Sequence, residues 1–173
     1  MNLIEQVFLD KKAKALAMGG AEKLAKRKTQ GRLNARERID YLLDGGSFVE
    51  SGLFSTSSVA SEKDRSPCDG KITGFGKING RRVSLVSNDF TVFGASSAAV
   101  NGKKIGHIKK TATQRGMPLI FLGESSGARM PDHMGSAGMG SLLGNDGTQY
   151  RRTREIPWVS ATLGMSYGSS SWY

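Results

Sequence analysis

The chain has 173 residues, enough for one core, with a low hydrophobic content of 38% and an unusual 23 glycines. That mixture argues for turns and close backbone approaches rather than a helical bundle. Its net charge of +10 calls for a polyanionic partner, for which nucleic acid, an anionic membrane and phosphate-rich cofactors such as coenzyme A all qualify on charge alone.

Aromatic residues make up 8% of the chain and do not interleave with basic ones as base-stacking surfaces require. Coenzyme A, with several phosphate charges, is the narrower candidate, while on charge alone nucleic acid stands level with it. A single cysteine, Cys68, excludes an intrachain disulfide and fits a reducing compartment. No apolar run reaches membrane-spanning length, and the N-terminus lacks a signal-peptide or transit-peptide pattern. The expectation is a cytoplasmic protein, or one of the mitochondrial matrix in a eukaryote.

In chain order, Leu3 to about Lys28 predicts a basic helix with a thin apolar stripe, Leu3 with Val7 and Ile4 with Phe8, interrupted at Gly19-Gly20. A second helix starts at Asn34, a good N-cap with Glu37 three residues on, and closes at Gly45-Gly46. Ser55 to Pro67 is polar and irregular, the expected mobile loop. Lys71–Ile78 and Arg81–Ser87 alternate about Asn79-Gly80, which predicts a β-hairpin with a type I′ turn.

Ala98 to Arg115 predicts a helix with Ile105, Ile108 and Ala112 on one face, ended by Gly116 and Pro118. Leu119–Leu122 is a short buried strand, expected to be parallel. A short helix is expected near Ser141–Leu143, and Trp158–Leu163 repeats the buried-strand pattern before Gly164. Short parallel strands joined by crossover helices give an α/β fold. Two units are expected: a basic helical segment over 1–46 and the α/β domain over 47–173.

Common catalytic equipment is missing. There is no P-loop, and the run Gly138 to Gly144 misses the dinucleotide fingerprint. His107 and His133 are too few for a histidine-rich metal site, no Gly-x-Ser-x-Gly occurs, and Asp132-His133 reads as a solvated loop pair. What remains is backbone chemistry. Two glycine turns follow apolar strands, Ser126-Gly127-Ala128 and Gly164 to Ser170. Turns of this kind present main-chain N–H groups to an oxyanion, and small residues let a thioester approach them.

The segment Ser87-Asn88-Asp89-Phe90-Thr91-Val92-Phe93-Gly94-Ala95-Ser96-Ser97, followed by Ser126-Gly127-Ala128-Arg129-Met130, resembles the carboxyltransferase subunits of biotin-dependent acyl-CoA carboxylases. Gly31 to Ile39, then Gly46-Ser47-Phe48-Val49-Glu50, resembles the entry to the same family, with Asn34 in place of its usual Thr.

The resemblance implies a crotonase-like spiral of ββα units. It also implies carboxyl transfer from carboxybiotin to the α-carbon of an acyl-CoA, with no obligatory side-chain base. Carried over, Gly127 and Ala128 match the first oxyanion turn, and Gly168 with Ser169 the second. Lys28, Arg32, Arg36 and Arg38 become candidates for the CoA phosphates, and Gly94, Ala95 and Arg129 further candidates for CoA contact. Biotin would arrive on a separate carrier, with biotin carboxylase as a further component and a homo-oligomer as the full-length assembly.

The pattern is not copied throughout: Ser126 stands where the family has glycine, and Glu124 where it has Asp. The resemblance covers only part of the family's first half-domain, so a truncated or split subunit, inactive alone, is expected. Two alternatives stay open: a decarboxylase subunit with the same site, and a non-catalytic basic module binding RNA or a partner.

Overall fold

The computed structural model describes residues 2–136 and 156–168. Two helices open the chain, α1 (Leu3–Leu16) and α2 (Ala21–Thr29). The break between them falls where expected, since Met18 and Gly20 both take positive φ. Gly19 is needed for another reason: a Cβ there would lie 2.1 Å from the Thr91 carbonyl oxygen. The Gly19 N–H donates to Thr91 Oγ1 at 2.9 Å, which docks the helical arm onto the turn after Asp89.

Helix α3 (Ala35–Leu42) carries the capping box read from the sequence. The Asn34 side chain accepts from the Arg36 and Glu37 N–H groups, and Glu37 accepts from the Asn34 N–H at 2.7 Å. Such reciprocal caps contribute about 1 kcal/mol. The apolar stripe of α1 remains exposed at Leu3 and Ile4, 81% and 79%.

Among the described residues, five strands form one sheet in sequential order: β1 (Val49–Ser51), β2 (Lys71–Ile78), β3 (Arg81–Asn88), β4 (Leu119–Ser126) and β5 (Trp158–Tyr167). The first three pair antiparallel, then β3, β4 and β5 pair parallel. The β2–β3 hairpin turns at Asn79-Gly80, both at positive φ. Asp44, just past α3, accepts from both turn N–H groups at 2.8 Å. Helix α4 (Ala99–Arg115) crosses from β3 to β4 and ends at Gly116 in the left-handed conformation.

Strand alternation sorts side chains to two faces. Val83, Leu85 and Leu122 join Met18, Ala35, Ile39, Leu43 and Ile72 under the N-terminal helices. Val86, Leu119 and Phe121 pack on Ile105, Ile108 and Ala112 of α4 on the opposite face. Helices on both faces leave β3 buried from Val83 to Asn88. Each fully buried aliphatic side chain here contributes about 1.5–3 kcal/mol. Residues on both sides of position 46 share the first of these cores.

Three expectations change. The polar stretch from Ser55 contains a 3₁₀ turn, Ala60–Arg65, tied down by Ser66 Oγ, which accepts from the Ser57 N–H at 2.8 Å. The segment Trp158–Leu163 is a strand, but an exposed one that runs on to Tyr167, because it is the outer strand of the sheet. Gly164 lies within it and opens no turn. Its role is spatial, because a Cβ there would stand 2.6 Å from Glu124 Oε1. The helix expected near Ser141–Leu143 lies outside the described residues. No helix among those described is long and apolar enough to cross a membrane.

Candidate active site

Two turns and Gly168 meet at the C-terminal ends of β3, β4 and β5. After β3, Phe93-Gly94-Ala95 forms a tight turn in which all three residues take positive φ. Gly94 there touches the second turn, since a Cβ on it would lie 2.6 Å from Ser126 Oγ. After β4, Gly127 takes φ 97°. After β5, Gly168 takes φ 63° and lies so close that its Cβ would be 3.6 Å from Gly127 Cα. Gly127 and Gly168, one from each stretch singled out in the sequence, are thus neighbours in space.

The amides of the β4 turn are unequal. The Gly127 N–H donates to Ser125 Oγ at 3.1 Å, and the Gly127 carbonyl accepts from the Ser97 N–H at 2.7 Å. Gly127 therefore shapes the turn and does not offer its own N–H. Ala128 is exposed, and no hydrogen bond of its N–H is seen among the described residues. The Ser97 carbonyl accepts from the Arg129 N–H at 2.8 Å, closing a short parallel bridge across the turn. Ser169 lies outside the described residues.

A buried polar layer supports these turns. Lys71, at the start of β2, donates to the Ala95 carbonyl at 2.6 Å, and Ser125 Oγ donates to the same oxygen at 3.2 Å. Burial first, and then the nearby Arg129 guanidinium, push the Lys71 ammonium down to about 7. Lys104 of α4 donates to the Cys68 and Lys71 carbonyls, and burial lowers it as well. Arg129 pairs with Asp69 and reaches Ser96 Oγ at 3.2 Å. Burial raises the Asp69 carboxyl against the pull of Arg129.

On the other face, Glu124 receives two hydrogen bonds from Arg27, at 3.0 and 2.7 Å, and pairs with Arg38 at 2.9 Å. All three side chains are buried. The Asn88 side chain donates to the Glu124 carbonyl at 2.9 Å, locking the end of β4 to the end of β3.

These contacts revise the candidates for CoA contact. Arg38 is spent on Glu124, Arg129 on Asp69, and Arg36 makes a two-pronged pair with Glu50 at 2.8 and 3.2 Å. Ala95 is fully buried, with its carbonyl turned to Lys71. Lys28 and Arg32 are exposed, and Gly94 is half-buried at the turn.

The pair Asp132-His133 is not solvated as expected. Helix α5 (Met130–His133) buries His133, whose Nε2 lies 2.9 Å from the Ser97 carbonyl oxygen, and Asp132 approaches Arg129 at 3.8 Å. His107 is exposed, as read. Cys68 is buried with its thiol raised to about 11, chiefly by burial, so it is no nucleophile at neutral pH.

Sequence reasoning missed Ser125, Lys71, Asp69 and the partners of Glu124. Only Asp69 carried a local sign, standing beside Gly70 in a turn where Cys68 and Asp69 are both left-handed.

Comparison with known proteins agrees with the resemblance. The carboxyl transferase domain family matches residues 26–173. The carboxyltransferase subunit of propionyl-CoA carboxylase from Haloferax mediterranei is 38% identical over 168 residues, covering 93% of this chain and 31% of the relative. The mitochondrial propionyl-CoA carboxylase beta chain of Homo sapiens is 38% identical over 169 residues, covering 93% and 30%.

Among solved structures, the transcarboxylase 12S hexamer core with hydrolysed methylmalonyl-coenzyme A bound superposes with a TM-score of 0.84 at 31% identity. It covers 98% of this chain and 34% of that one. The beta subunit of geranyl-CoA carboxylase from P. aeruginosa gives 0.69 at 26% identity, covering 98% and 30%. These neighbours are carboxyltransferases of the crotonase-like fold, of which the described residues form an open five-stranded portion. It spans about a third of the length of the relatives it matches. Within that span the assignment is plain: this chain belongs to the carboxyl transferase domain family.

Proposed function

We infer that this chain is the acyl-CoA-binding part of a carboxyltransferase, which moves a carboxyl group onto the α-carbon of a CoA thioester. The observation that carries this reading is the meeting of the Gly127-Ala128 turn with Gly168, with Ala128 exposed above it. A thioester carbonyl set against the Ala128 N–H gains a donor aimed at the oxygen where enolate charge develops. Losing one such donor typically costs about 10²–10³ in rate.

The donor is preorganised. Ser125 fixes Gly127, Lys71 fixes Ala95, and neither bond has to break for substrate to enter. Backbone amides suit a carbonyl oxygen, which both a thioester and the ureido ring of biotin present. Biotin on a separate carrier would supply the carboxyl group, while this chain's residues bind the thioester and stabilise its enolate. Assembly with a carrier and a biotin carboxylase component, and as a homo-oligomer, belongs to the same reading. Its support is the relatives, named as propionyl-CoA carboxylase chains, and the neighbour with hydrolysed methylmalonyl-coenzyme A bound.

The test is calorimetric titration of the chain with acetyl-CoA and propionyl-CoA, with ATP as the charge control. Selective acyl-CoA binding is expected. Equal weak binding of all three, abolished by salt, would overturn the reading and leave a basic surface.

A further inference from the structure

The Ala128 N–H is bordered by a side chain that the family pattern lacks, since Ser126 stands where the family has glycine. Two exposed residues flank the buried Gly127, Ser126 before it and Ala128 after it. Ser126 is the last residue of β4 and pairs with Tyr167 of β5 on one side. On its other side, Ser126 Oγ donates to the Phe93 carbonyl at 3.4 Å. It lies in the space left by Gly94, whose Cβ, if present, would be 2.6 Å away. The neighbours at 94, 127 and 168 are glycines, so Ser126 supplies bulk where the turns themselves supply none.

The wall against which Ser126 rests is stiff. Phe93 and Ala95 hold positive φ although neither is glycine, a conformation kept only where the surroundings impose it. The Arg129 and Arg65 guanidiniums lie 4.9 and 5.2 Å from the Phe93 ring centroid. The Ala95 carbonyl accepts from both Lys71 and Ser125. A ligand pressing on Ser126 therefore meets a turn that is held from several directions.

Two residues of chain span at most about 7 Å, so an acyl group whose oxygen sits on the Ala128 N–H carries its tail within reach of Ser126. A cleft of about 420 Å³ does open elsewhere, between α1 and the segment that precedes β2, with Lys11, Lys14 and Lys63 on its walls. No residue of the glycine turns lines it. Room for the acyl tail is thus set at the turns.

We propose that Ser126 is a specificity-determining residue, whose Cβ and hydroxyl close the corner between the β3 turn, Gly127 and Tyr167 and limit the substrate to a short acyl chain. This rests on the acyl-CoA reading above and narrows its substrate class. Glycine at this position would leave the corner open, whereas serine fills it with bulk comparable to a short piece of alkyl chain. A methylene that does not fit such a corner changes discrimination by about tenfold or more.

The experiment is a ladder of chain lengths. Acetyl-, propionyl-, butyryl- and hexanoyl-CoA are titrated calorimetrically into the chain and into its Ser126→Gly variant. Each affinity is divided by that of free coenzyme A, which has no acyl group, so that a general loss of folded protein cancels. In the parent the ratio should fall about tenfold between propionyl and hexanoyl. In Ser126→Gly it should stay nearly level, a gain of about tenfold for hexanoyl-CoA over the parent. That gain cannot arise from damaged folding. Ser126→Ala, which keeps Cβ and drops the hydroxyl, should lie between the two, and Ser126→Thr should move the fall to shorter chains.

The same ladder in the parent and in Ser126→Gly overturns the proposal, as does a glycine variant that rejects hexanoyl-CoA more strongly. If no thioester binds the parent better than free coenzyme A, the acyl-CoA reading falls and this role falls with it. A parent ladder that Ser126 does not move removes only the role of Ser126 and leaves that reading standing.

Discussion

Arg27 and Arg38 on one side of the sheet, and Lys11, Lys14 and Lys63 around the cleft, carry the same charge and do opposite things. The arginines are buried and share the Glu124 carboxylate, whose two oxygens match the planar fork of a guanidinium. The lysines sit on exposed walls, and among the described residues Lys14 pairs with the exposed Asp64. The first set holds two helices to the end of β4, beneath the glycine turns. The second is available to solvent and ligand. Positive charge in this chain therefore includes two such populations, and the exposed one, least screened by a counter-charge, contributes most to the long-range attraction that a net charge of +10 suggests.

Breaking the buried population should cost most. Glu124→Ala leaves two guanidiniums buried without a counter-charge, and a loss of about 3–5 kcal/mol is expected in urea unfolding. Replacing Arg27, Arg38 and Glu124 together by Leu or Met should recover much of that, because a well-packed apolar set often matches a buried ion cluster. A Glu124→Ala variant as stable as the parent would dissolve the distinction drawn above.

Lys71→Met comes next, and pH sharpens it. Unfolded Lys71 holds its proton to an ordinary 10.5, while the folded ammonium loses it near 7. Across that interval the unfolded chain binds more protons, so stability should rise with pH. The usable window is about pH 7–9, below the range where the buried Cys68 thiol adds the opposite slope. Thermal melts should climb over this window by an amount worth a few kcal/mol at most, and in Lys71→Met the climb should flatten. An unchanged slope would mean that Lys71 titrates as an exposed lysine does.

Salt and surface changes should do least. Lys28→Ala and Arg32→Ala lie on exposed positions, and each should alter stability by less than about 0.5 kcal/mol. A loss comparable to that of Glu124→Ala would place them in the buried population.

The two populations also mark how far the sequence was readable. Helices, hairpin and crossover followed from local chemistry: the Asn34 capping box, the Asn79-Gly80 turn, and Gly116 closing α4. The glycine turns were readable as candidates because glycine spacing after an apolar strand is a local signal. Which arginine is structural was not. Arg36 meets Glu50, fourteen positions away, and Arg27 meets Glu124, ninety-seven away. No periodicity connects such partners. Gly164 was misread for a related reason, since its missing side chain answers to Glu124 forty positions earlier and not to a turn of its own. Likewise, the cleft needs α1 and residues 53–68 side by side, a juxtaposition that only the folded chain supplies.

The Arg27–Glu124 pair also has a consequence in time. Its members are 97 positions apart, and at a synthesis rate of about 5–20 residues per second the first waits roughly 5–20 s for the second. Throughout that interval the N-terminal helices present basic side chains without their acidic partner, and an apolar stripe that the finished fold also leaves bare at Leu3 and Ile4. The Arg27 end of the arm can be locked to its carboxylate only after β4 has left the ribosome. Nascent chains halted before residue 124 should therefore be captured by chaperones through residues 1–30, and those halted well beyond it should not.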